Sequence, residues 1–377
     1  MLLRARWHLG MVTTGNLAPG LRPVCAGFMI EAVGLGTPLC QRLGIEHPVL
    51  CAGMGAAAGP DLVAAVSNAG GLGVLGAAGA PPKEVRRRGA RVRELTGRPF
   101  GVNFIIDDDG EDDREYIRQE VAAAAEQAAA AVLFWGDPGP YVEVAHRAGA
   151  LVLVQVGSAN EAHAADAAGA DAVIAQGVEA GGHVRGTTPV WELLPQVVAA
   201  VAPLPVLASG GIGDGAGVAR ALRLGAQGVS LGTRFVASDE AWAHPEYKRR
   251  ITASTAAETF YGELFDAWWP EAPHRVLRTR LVAEWEAAGR PPRGQRPGEG
   301  TPIGTLVRSS GEKTDWPRYA VGVAGPDFDG DIDDAPLWAG ESCTVVNDIK
   351  PAAQIVRDLV AEAEAALGQS PEPASSG

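Results

Sequence analysis

Eight short apolar segments recur between residues 48 and 231, and almost no polar residue interrupts them. Runs of this kind are typical of strands that are covered on both faces, as in a parallel sheet. The predicted strands are Pro48–Ala52, Leu72–Leu75, Phe100–Ile106, Ala131–Trp135, Leu151–Val156, Asp171–Ala175, Pro205–Ala208 and Gly228–Leu231.

The segments between these runs are rich in alanine and show helical spacing of their apolar positions. Strands that alternate with helices predict an α/β fold with a parallel sheet, and eight units are the number that closes a TIM (β/α)8 barrel. A doubly wound open sheet is the alternative. The predicted helices are Asp61–Asn68, Lys83–Leu95, Asp112–Ala130, Pro140–Arg147, Asn160–Ala168, Val190–Val201 and Gly215–Leu224.

The pattern changes after residue 236, where aromatic residues cluster and the strand–helix alternation stops. We therefore expect the barrel to span residues 37–236, followed by a mostly helical cap at 237–342 that shapes the substrate region. An amphipathic helix within 343–367 should return to the barrel. Residues 1–36 are expected to be a flexible extension, and the Ser/Pro-rich residues 368–377 a disordered tail.

The net charge of the chain argues against two classes of binding partner. The chain carries 32 Lys and Arg residues against 45 Asp and Glu residues, a formal net charge of -13. Binding to nucleic acid or to an anionic membrane surface needs a basic face, so neither is expected. No apolar run is long enough to cross a membrane, and the four cysteines form no CxxC pair. Reduced thiols in a cytoplasmic protein are the simplest interpretation.

Two glycine-rich loops follow the last two predicted strands. Ser209–Asp214 comes after the seventh strand, and Gly232 with Thr233 comes after the eighth. In a barrel this pair of loops commonly holds a phosphate, because glycine lets phosphate oxygens approach backbone N–H groups. Two tight turns without a ligand are the alternative.

A third loop places one imidazole at the same end of the barrel. Gln176–His183 follows the sixth predicted strand and is rich in glycine. Histidine is the side chain best suited to move protons near neutral pH, so His183 is the candidate acid or base. A purely structural histidine is the alternative.

Several other chemistries find no support in the sequence. Gly71–Gly76 matches the dinucleotide fingerprint but runs into a strand instead of a helix, so we interpret it as close packing. Asp107–Asp113 lacks the ligand spacing of a calcium loop, and no cluster has metal-ligand spacing. No lysine lies on a predicted strand, which excludes a Schiff-base aldolase that uses one.

Motifs along most of the chain, from about Thr37 to Leu359, resemble those of the nitronate monooxygenases, a family of FMN-dependent barrels related to flavin-dependent enoyl-ACP reductases. The motifs that carry the resemblance are Cys51–Pro60, Asp61–Gly73, Gly101–Phe104, Gln176–His183, Ala208–Asp214, Leu231–Phe235, Ala272–Arg278, Pro336–Gly340 and Pro351–Ala353. The signal is more specific for the superfamily than for the substrate.

The resemblance implies a cofactor, FMN, and a set of residues that bind it. Ala52, Gly53 and Met54 would border the flavin ring, Asn103 would hydrogen-bond to it, and Gln176 and Gly181 would contact the ring or the ribityl chain. Gly210, Gly211, Ser230, Leu231, Gly232 and Thr233 would hold the phosphate, and His183 matches the family's proposed catalytic base. No metal is implied.

The implied reaction is the oxidation of alkyl nitronates by O2 to a carbonyl compound and nitrite, through a flavin semiquinone. Neutral nitroalkanes would serve as substrates if His183 deprotonates them. One alternative is an NAD(P)H-dependent flavin reductase that acts on a quinone or an enoyl thioester. Another is a phosphate-binding barrel without flavin.

Overall fold

A computed structural model describes residues 35–107, 110–307 and 312–368. The predicted N-terminal extension and C-terminal tail fall outside these residues, apart from Leu35, Gly36 and Gly368. Among the described residues, no helix is both long and apolar enough to span a lipid bilayer.

Eight parallel strands form a closed barrel, which confirms the predicted fold class and excludes the open sheet. Each predicted strand is present, with bounds that shift by one or two residues at most. The strands are β1 (Val49–Cys51), β2 (Leu72–Gly76), β3 (Phe100–Ile105), β4 (Ala130–Phe134), β5 (Leu151–Val156), β6 (Ala172–Gln176), β8 (Val206–Ser209) and β9 (Gly228–Leu231). The intervening strand β7 (Gly182–His183) belongs to a different sheet.

Helices surround the barrel, and a short helix α1 (Pro38–Leu43) precedes it. Leu39 and Leu43 of α1 pack with the apolar side chains inside the barrel, so α1 covers the end at which the strands begin. The surrounding helices are α2 (Pro60–Asn68), α3 (Pro82–Leu95), α4 (Glu111–Ala125), α5 (Gly139–Arg147), α6 (Ala159–Ala167), α7 (Val190–Val201), α8 (Gly215–Arg223) and α9 (Thr233–Val236).

The G-x-G-x-x-G segment is a packing feature of β2. A Cβ atom at Gly73 would lie 2.2 Å from the carbonyl oxygen of Val63 in α2, so glycine alone allows this approach of helix and strand. Gly70, just after α2, has φ of +88°, which a residue with a side chain rarely adopts. The structure therefore confirms the interpretation as close packing.

The region after the barrel is mixed, and the prediction of a mostly helical cap needs correction. Among its described residues are two α-helices and the strands of two three-stranded antiparallel sheets, one of which also includes a strand from the loop after β6. The strands are too short and too often interrupted by proline and glycine to give a readable pattern. The helices are α10 (Pro245–Ala253) and α11 (Arg280–Ala287). One sheet has the order β10 (Thr259–Gly262), β11 (His274–Leu277), β7 (Gly182–His183), and β7 belongs to the barrel loop after β6. The other has the order β13 (Lys313–Pro317), β12 (Pro302–Val307), β14 (Asp329–Gly330).

The last helix, α12 (Ala352–Gly368), packs against α8 and α2 on the outside of the barrel. Its Glu362 accepts a hydrogen bond from the backbone N–H of Gly215 at 2.9 Å. Since Gly215 is the first residue of α8, the carboxylate satisfies a helix N–H that would otherwise lack a partner.

Candidate active site

A cavity of about 1300 Å³ opens where the barrel strands end, between the barrel loops and the region after residue 236. Inward-facing side chains of the strands form its floor, and three glycine-containing loops form one wall. Of the residues predicted to bind or react, those that line it are Ala52, Gly53, Met54, Asn103, Gln176, Gly181, His183, Gly210, Gly211, Ser230, Gly232 and Thr233.

Leu231 is the predicted residue that does not line this cavity. It is 1% exposed and packs in the apolar cluster between the strands and the outer helices. Its carbonyl accepts a hydrogen bond from the backbone N–H of Ala52 at 3.0 Å. The side chain of Ser230, one position earlier, points to the other face of the strand, as the alternation along a strand requires.

The backbone of His183 is fixed from two sides. Its strand β7 pairs with β11, with His183 opposite His274 and Gly182 opposite Arg275. Gln176, at the end of β6, donates from Nε2 to the carbonyl of His183 at 2.9 Å and accepts at Oε1 from the N–H of Arg185 at 3.1 Å. Gln176 therefore holds the loop that carries the imidazole, and its amide keeps one N–H and one lone pair for a ligand.

Arg275 supports the same loop from the neighbouring strand. Its Nη2 donates to the carbonyl of Val178 at 2.9 Å and lies 3.1 Å from Oε1 of Glu341. Its Nη1 donates to the hydroxyl of Thr259 at 3.0 Å. The guanidinium is buried, so its planar set of donors joins the loop, the strand β10 and the segment at Glu341 into one unit.

The imidazole of His183 lies in aromatic surroundings. The ring centroid of Trp269 is 4.0 Å away at an interplanar angle of 37°, and that of Trp338 is 5.3 Å away at 33°. Within the described residues, Nε2 of His183 is buried and has no hydrogen-bond partner. Burial, together with the nearby His274, lowers the pKa of His183 to about 3, so the ring is neutral at ordinary pH.

His274 is a neutral structural partner that the sequence reasoning did not single out. Its Nδ1 is 2.9 Å from the carbonyl of Ala272, and its Nε2 accepts the N–H of Phe265 at 3.1 Å. These two bonds require the proton on Nδ1. Burial lowers the pKa of His274 to about 4. The motif Ala272–Arg278, which the sequence analysis used only for the resemblance, was the available signal.

The loops after β8 and β9 fit a phosphate group. Gly210 and Gly211 have φ of +92° and +68°, a conformation that favours glycine at both positions. A Cβ at Gly232 would meet only the sulfur of Met54, at 3.5 Å, so this glycine keeps the cavity open. The loops thus present bare backbone at the cavity wall, which suits a phosphate bound through N–H groups.

The N-terminus of α8 is occupied by the protein itself. Asp214 accepts at Oδ1 from the N–H of Gly217 at 2.8 Å, and Glu362 accepts from that of Gly215. A phosphate would compete there with two carboxylates. The geometry therefore favours the loop backbone at Gly211 and Gly232 over the first turn of α8.

The floor of the cavity also suits a flat ligand with donors and acceptors. Asn103 donates from Nδ2 to the carbonyl of Val132 at 3.1 Å, which fixes its amide. A Cβ at Gly53 would lie 2.3 Å from the Cβ of Asn103, so glycine is required where the segment after β1 approaches the side chain of Asn103 in β3. Asn103 and Gln176 together offer the mixed donor and acceptor set that the edge of a flavin needs.

The charged groups that line the cavity are acidic. Among the described lining residues are Asp107 and Glu271 but no lysine or arginine. Trp135, Trp268, Trp269 and Trp338 also line it, and the sequence analysis named none of them as a site residue. Within the described residues, no group of three or more potential ligands is arranged to hold a metal ion.

Comparisons with known proteins point to one family. The sequence model of the family described as Nitronate monooxygenase matches residues 37–362. The chain is 31% identical to a Pseudomonas aeruginosa protein named nitronate monooxygenase, over 85% of this chain and 97% of that protein. It is 39% identical to a Mycobacterium tuberculosis protein named (3aS,4S,5R,7aS)-5-hydroxy-7a-methyl-1-oxo-octahydro-1H-indene-4-carboxyl-CoA dehydrogenase, over 68% of this chain and 70% of that protein.

Two solved structures also align with most of this chain. FabK from Thermotoga maritima aligns with a TM-score of 0.69 and 32% identity, over 87% of this chain and 96% of that one. A nitroalkane oxidase from Streptomyces ansochromogenes aligns with a TM-score of 0.68 and 29% identity, over 88% of this chain and 99% of that one.

Proposed function

The chain belongs to the nitronate monooxygenase family, and we propose that it oxidises alkyl nitronates with O2 to a carbonyl compound and nitrite. As a member of this family it is a flavin-dependent oxidoreductase. The observation that carries the proposal is the unpartnered, buried Nε2 of His183, in a cavity whose glycine loops suit a phosphate. The imidazole and the glycine loops thus line the same cavity.

FMN is the flavin that we propose for this site. The backbone N–H groups at Gly210, Gly211, Gly232 and Thr233 would hold its phosphate, and Asn103 and Gln176 would hydrogen-bond to its ring. When bound, FMN supplies the electron transfer between substrate and O2. Since no described lining residue is a lysine or arginine, backbone dipoles must supply the positive potential around the cofactor.

His183 accepts a proton at Nε2 when the substrate is a neutral nitroalkane. With its pKa near 3, the imidazole is always free to accept, but it is a weak base for a carbon acid. A nitronate has already lost this proton and requires only binding and orientation from His183. The protein should therefore turn over nitronates faster than the corresponding neutral nitroalkanes.

The test starts from the purified full chain and its absorbance spectrum, which reports bound flavin. Oxygen consumption and nitrite formation are then measured with pre-formed ethyl nitronate and, separately, with neutral nitroethane. We expect nitrite from both, at a higher rate from the nitronate. Flavin without nitrite from either substrate would contradict the proposal.

A second candidate is an NAD(P)H-dependent reductase acting on a quinone or an enoyl thioester. The observation that favours it is the 39% identity to a protein named as a dehydrogenase of a CoA thioester, which exceeds the 31% identity to the P. aeruginosa nitronate monooxygenase. Anaerobic mixing with NADH or NADPH separates the two. Rapid bleaching of the flavin supports the reductase, and no bleaching supports nitronate oxidation.

A further inference from the structure

The cavity is larger than one ligand needs. Its volume of about 1300 Å³ exceeds the range of about 300–1,000 Å³ that is usual for a small-molecule site. FMN would fill the part along the glycine loops and the ends of β1 and β3. The part around His183 then remains for a substrate, and its lining indicates which organic group the substrate carries.

Three tryptophans surround this part of the cavity. Besides the contacts of Trp269 and Trp338 with His183, the ring of Trp135 lies 5.2 Å from that of Trp269 and 6.1 Å from the imidazole. The indole N–H of Trp269 donates to Asp107 at 3.0 Å, and that of Trp338 donates to the carbonyl of Gly322. Because the indole N–H groups of Trp269 and Trp338 are engaged, these two side chains offer a substrate mainly flat apolar surface.

Both acidic groups of the lining lie beside Trp269. Asp107 is its hydrogen-bond partner, and Glu271 follows it by two residues. Both are exposed at the edge of the cavity. The nearby cation Arg185 stacks on Trp135 at 5.1 Å but pairs with Glu161 at 2.8 Å and is not part of the lining. A carboxylate on the substrate would thus meet like charges and no described cationic partner.

We propose that the nitronate substrate carries an uncharged ring as its organic group, packed against Trp135, Trp269 and Trp338. Asp107 and Glu271 disfavour substrates with a second anionic group remote from the reacting carbon. The inference rests on the proposed nitronate oxidation for the reacting group, while the nature of the organic group follows from the lining itself.

The FMN-loaded full chain provides the test, with three nitronates that differ in their organic group. They are the nitronates of phenylnitromethane, nitroethane and 3-nitropropionate. We expect kcat/KM to be about tenfold higher for the phenyl than for the ethyl compound because of stacking on the indoles. For the carboxylated compound it should be about tenfold lower than for the ethyl compound because of charge repulsion.

Binding of compounds that do not react gives a readout independent of turnover. Phenylacetamide and phenylacetate have the same size and differ in charge, and calorimetry yields a Kd for each. Glu271→Gln should tighten phenylacetate binding about threefold or more, with phenylacetamide unchanged. Glu263→Gln, an exposed acid of the same loop that does not line the cavity, is the matched control and should change neither.

Trp269→Leu should bring the kcat/KM values of the phenyl and ethyl nitronates close together. A higher kcat/KM for the 3-nitropropionate compound than for the phenyl compound would overturn the inference, as would equal binding of phenylacetate and phenylacetamide. If no nitronate is oxidised but phenylacetamide binding and its dependence on Trp269 hold, the proposed reaction fails while the assignment of an uncharged ring stands.

Discussion

His183 combines a fixed backbone with an imidazole that no described group binds at Nε2. The surrounding indoles remove water from the ring, and this is why its pKa falls to about 3. Such a group cannot hold a resident positive charge near neutral pH. It can orient an anion through a hydrogen bond or accept a proton that a substrate gives up during reaction.

Replacing His183 by Asn separates these two roles. Asn keeps a polar side chain of similar reach but cannot accept a proton as a base. Turnover of neutral nitroalkanes should fall by about 10²–10⁴-fold, the usual contribution of a general base, and that of pre-formed nitronates should fall much less. Steady-state kcat/KM with both substrate forms checks this, and equal losses on both would assign His183 to binding alone.

For individual residues, the sequence analysis identified polar residues and glycines that line the cavity but missed the aromatic residues that line it. Gln176 and His183 were identifiable because their glycine-rich loop follows an apolar run, where side chains reach the open end of a barrel. Asn103 lies within β3 and was named only through the family resemblance. Trp135 was assigned to the end of a strand, and it has φ of +73° just beyond β4. Trp269 and Trp338 reach the site through tertiary packing that no local pattern encodes.

Among the elements, the two-residue strand β7 and its partner β11 decide where His183 lies. Arg275 of β11 bonds to the loop at Val178 and pairs with Glu341, so its loss leaves a carbonyl and a carboxylate without their partner. We expect Arg275→Met to retain flavin but to lower kcat/KM for nitronates by about 10²-fold, as small misplacements of reacting groups do.

Hydrogen exchange of residues 176–185 also tests whether Arg275 holds the loop that carries His183. In Arg275→Met the loop loses this support, so its backbone N–H groups should exchange faster. Arg278→Met is the matched control, because Arg278 follows β11 directly and pairs with Glu286 on the surface at 2.6 Å. Loss of flavin in the Arg275 variant, or an equal loss of activity in the control, would contradict the positioning role.

The loops after β8 and β9 give a prediction about the cofactor. Gly211→Asp would add a carboxylate to the loop that we propose for the phosphate of FMN, with its Cβ 3.2 Å from that of Glu179, and its negative charge would repel the phosphate. The protein should purify folded but without flavin. Gly149→Asp makes the same substitution at a glycine with φ of +83°, open space around it and a position at the other end of the barrel. Its absorbance spectrum should show normal flavin.

The eight barrel strands were predictable because strands covered on both faces are apolar throughout and stand out from alanine-rich helices. The short strands outside the barrel were not predictable. Strands β10 and β11 have four residues each, and β7 has two, so neither alternation nor composition distinguishes them from loops. The pairing of β7 with β11 joins residues that are about ninety positions apart.

For the molecule as a whole, the buried histidines predict how stability depends on pH. The pKa values of His183 and His274 are lowered from 6.5 to about 3 and about 4. Between pH 6.5 and these values, the unfolded chain binds protons that the folded protein does not. The contribution of these two histidines to the free energy of unfolding is therefore largest above pH 6.5 and falls as the pH drops, by about 1.4 kcal/mol per pH unit for each histidine.

Thermal unfolding at pH 7.5 and pH 5 measures this dependence. His183→Asn removes the contribution of His183 to the pH dependence of stability and leaves that of His274. The difference in Tm between the two pH values should therefore be smaller than in the unchanged protein. His163→Asn, at an exposed position in α6, is the control and should leave the difference unchanged. An equal pH dependence in all three proteins would contradict the assignment.

The pairing of β7 with β11 also sets limits on recombination between relatives. The histidine belongs to a barrel loop by sequence, but its strand is completed by residues from the region that follows the barrel. A chimera joined anywhere between residues 184 and 273 would take the histidine from one parent and its structural support from the other. Exchanges that preserve activity should therefore join before β6 or after β11, so that the two strands are inherited together as one module.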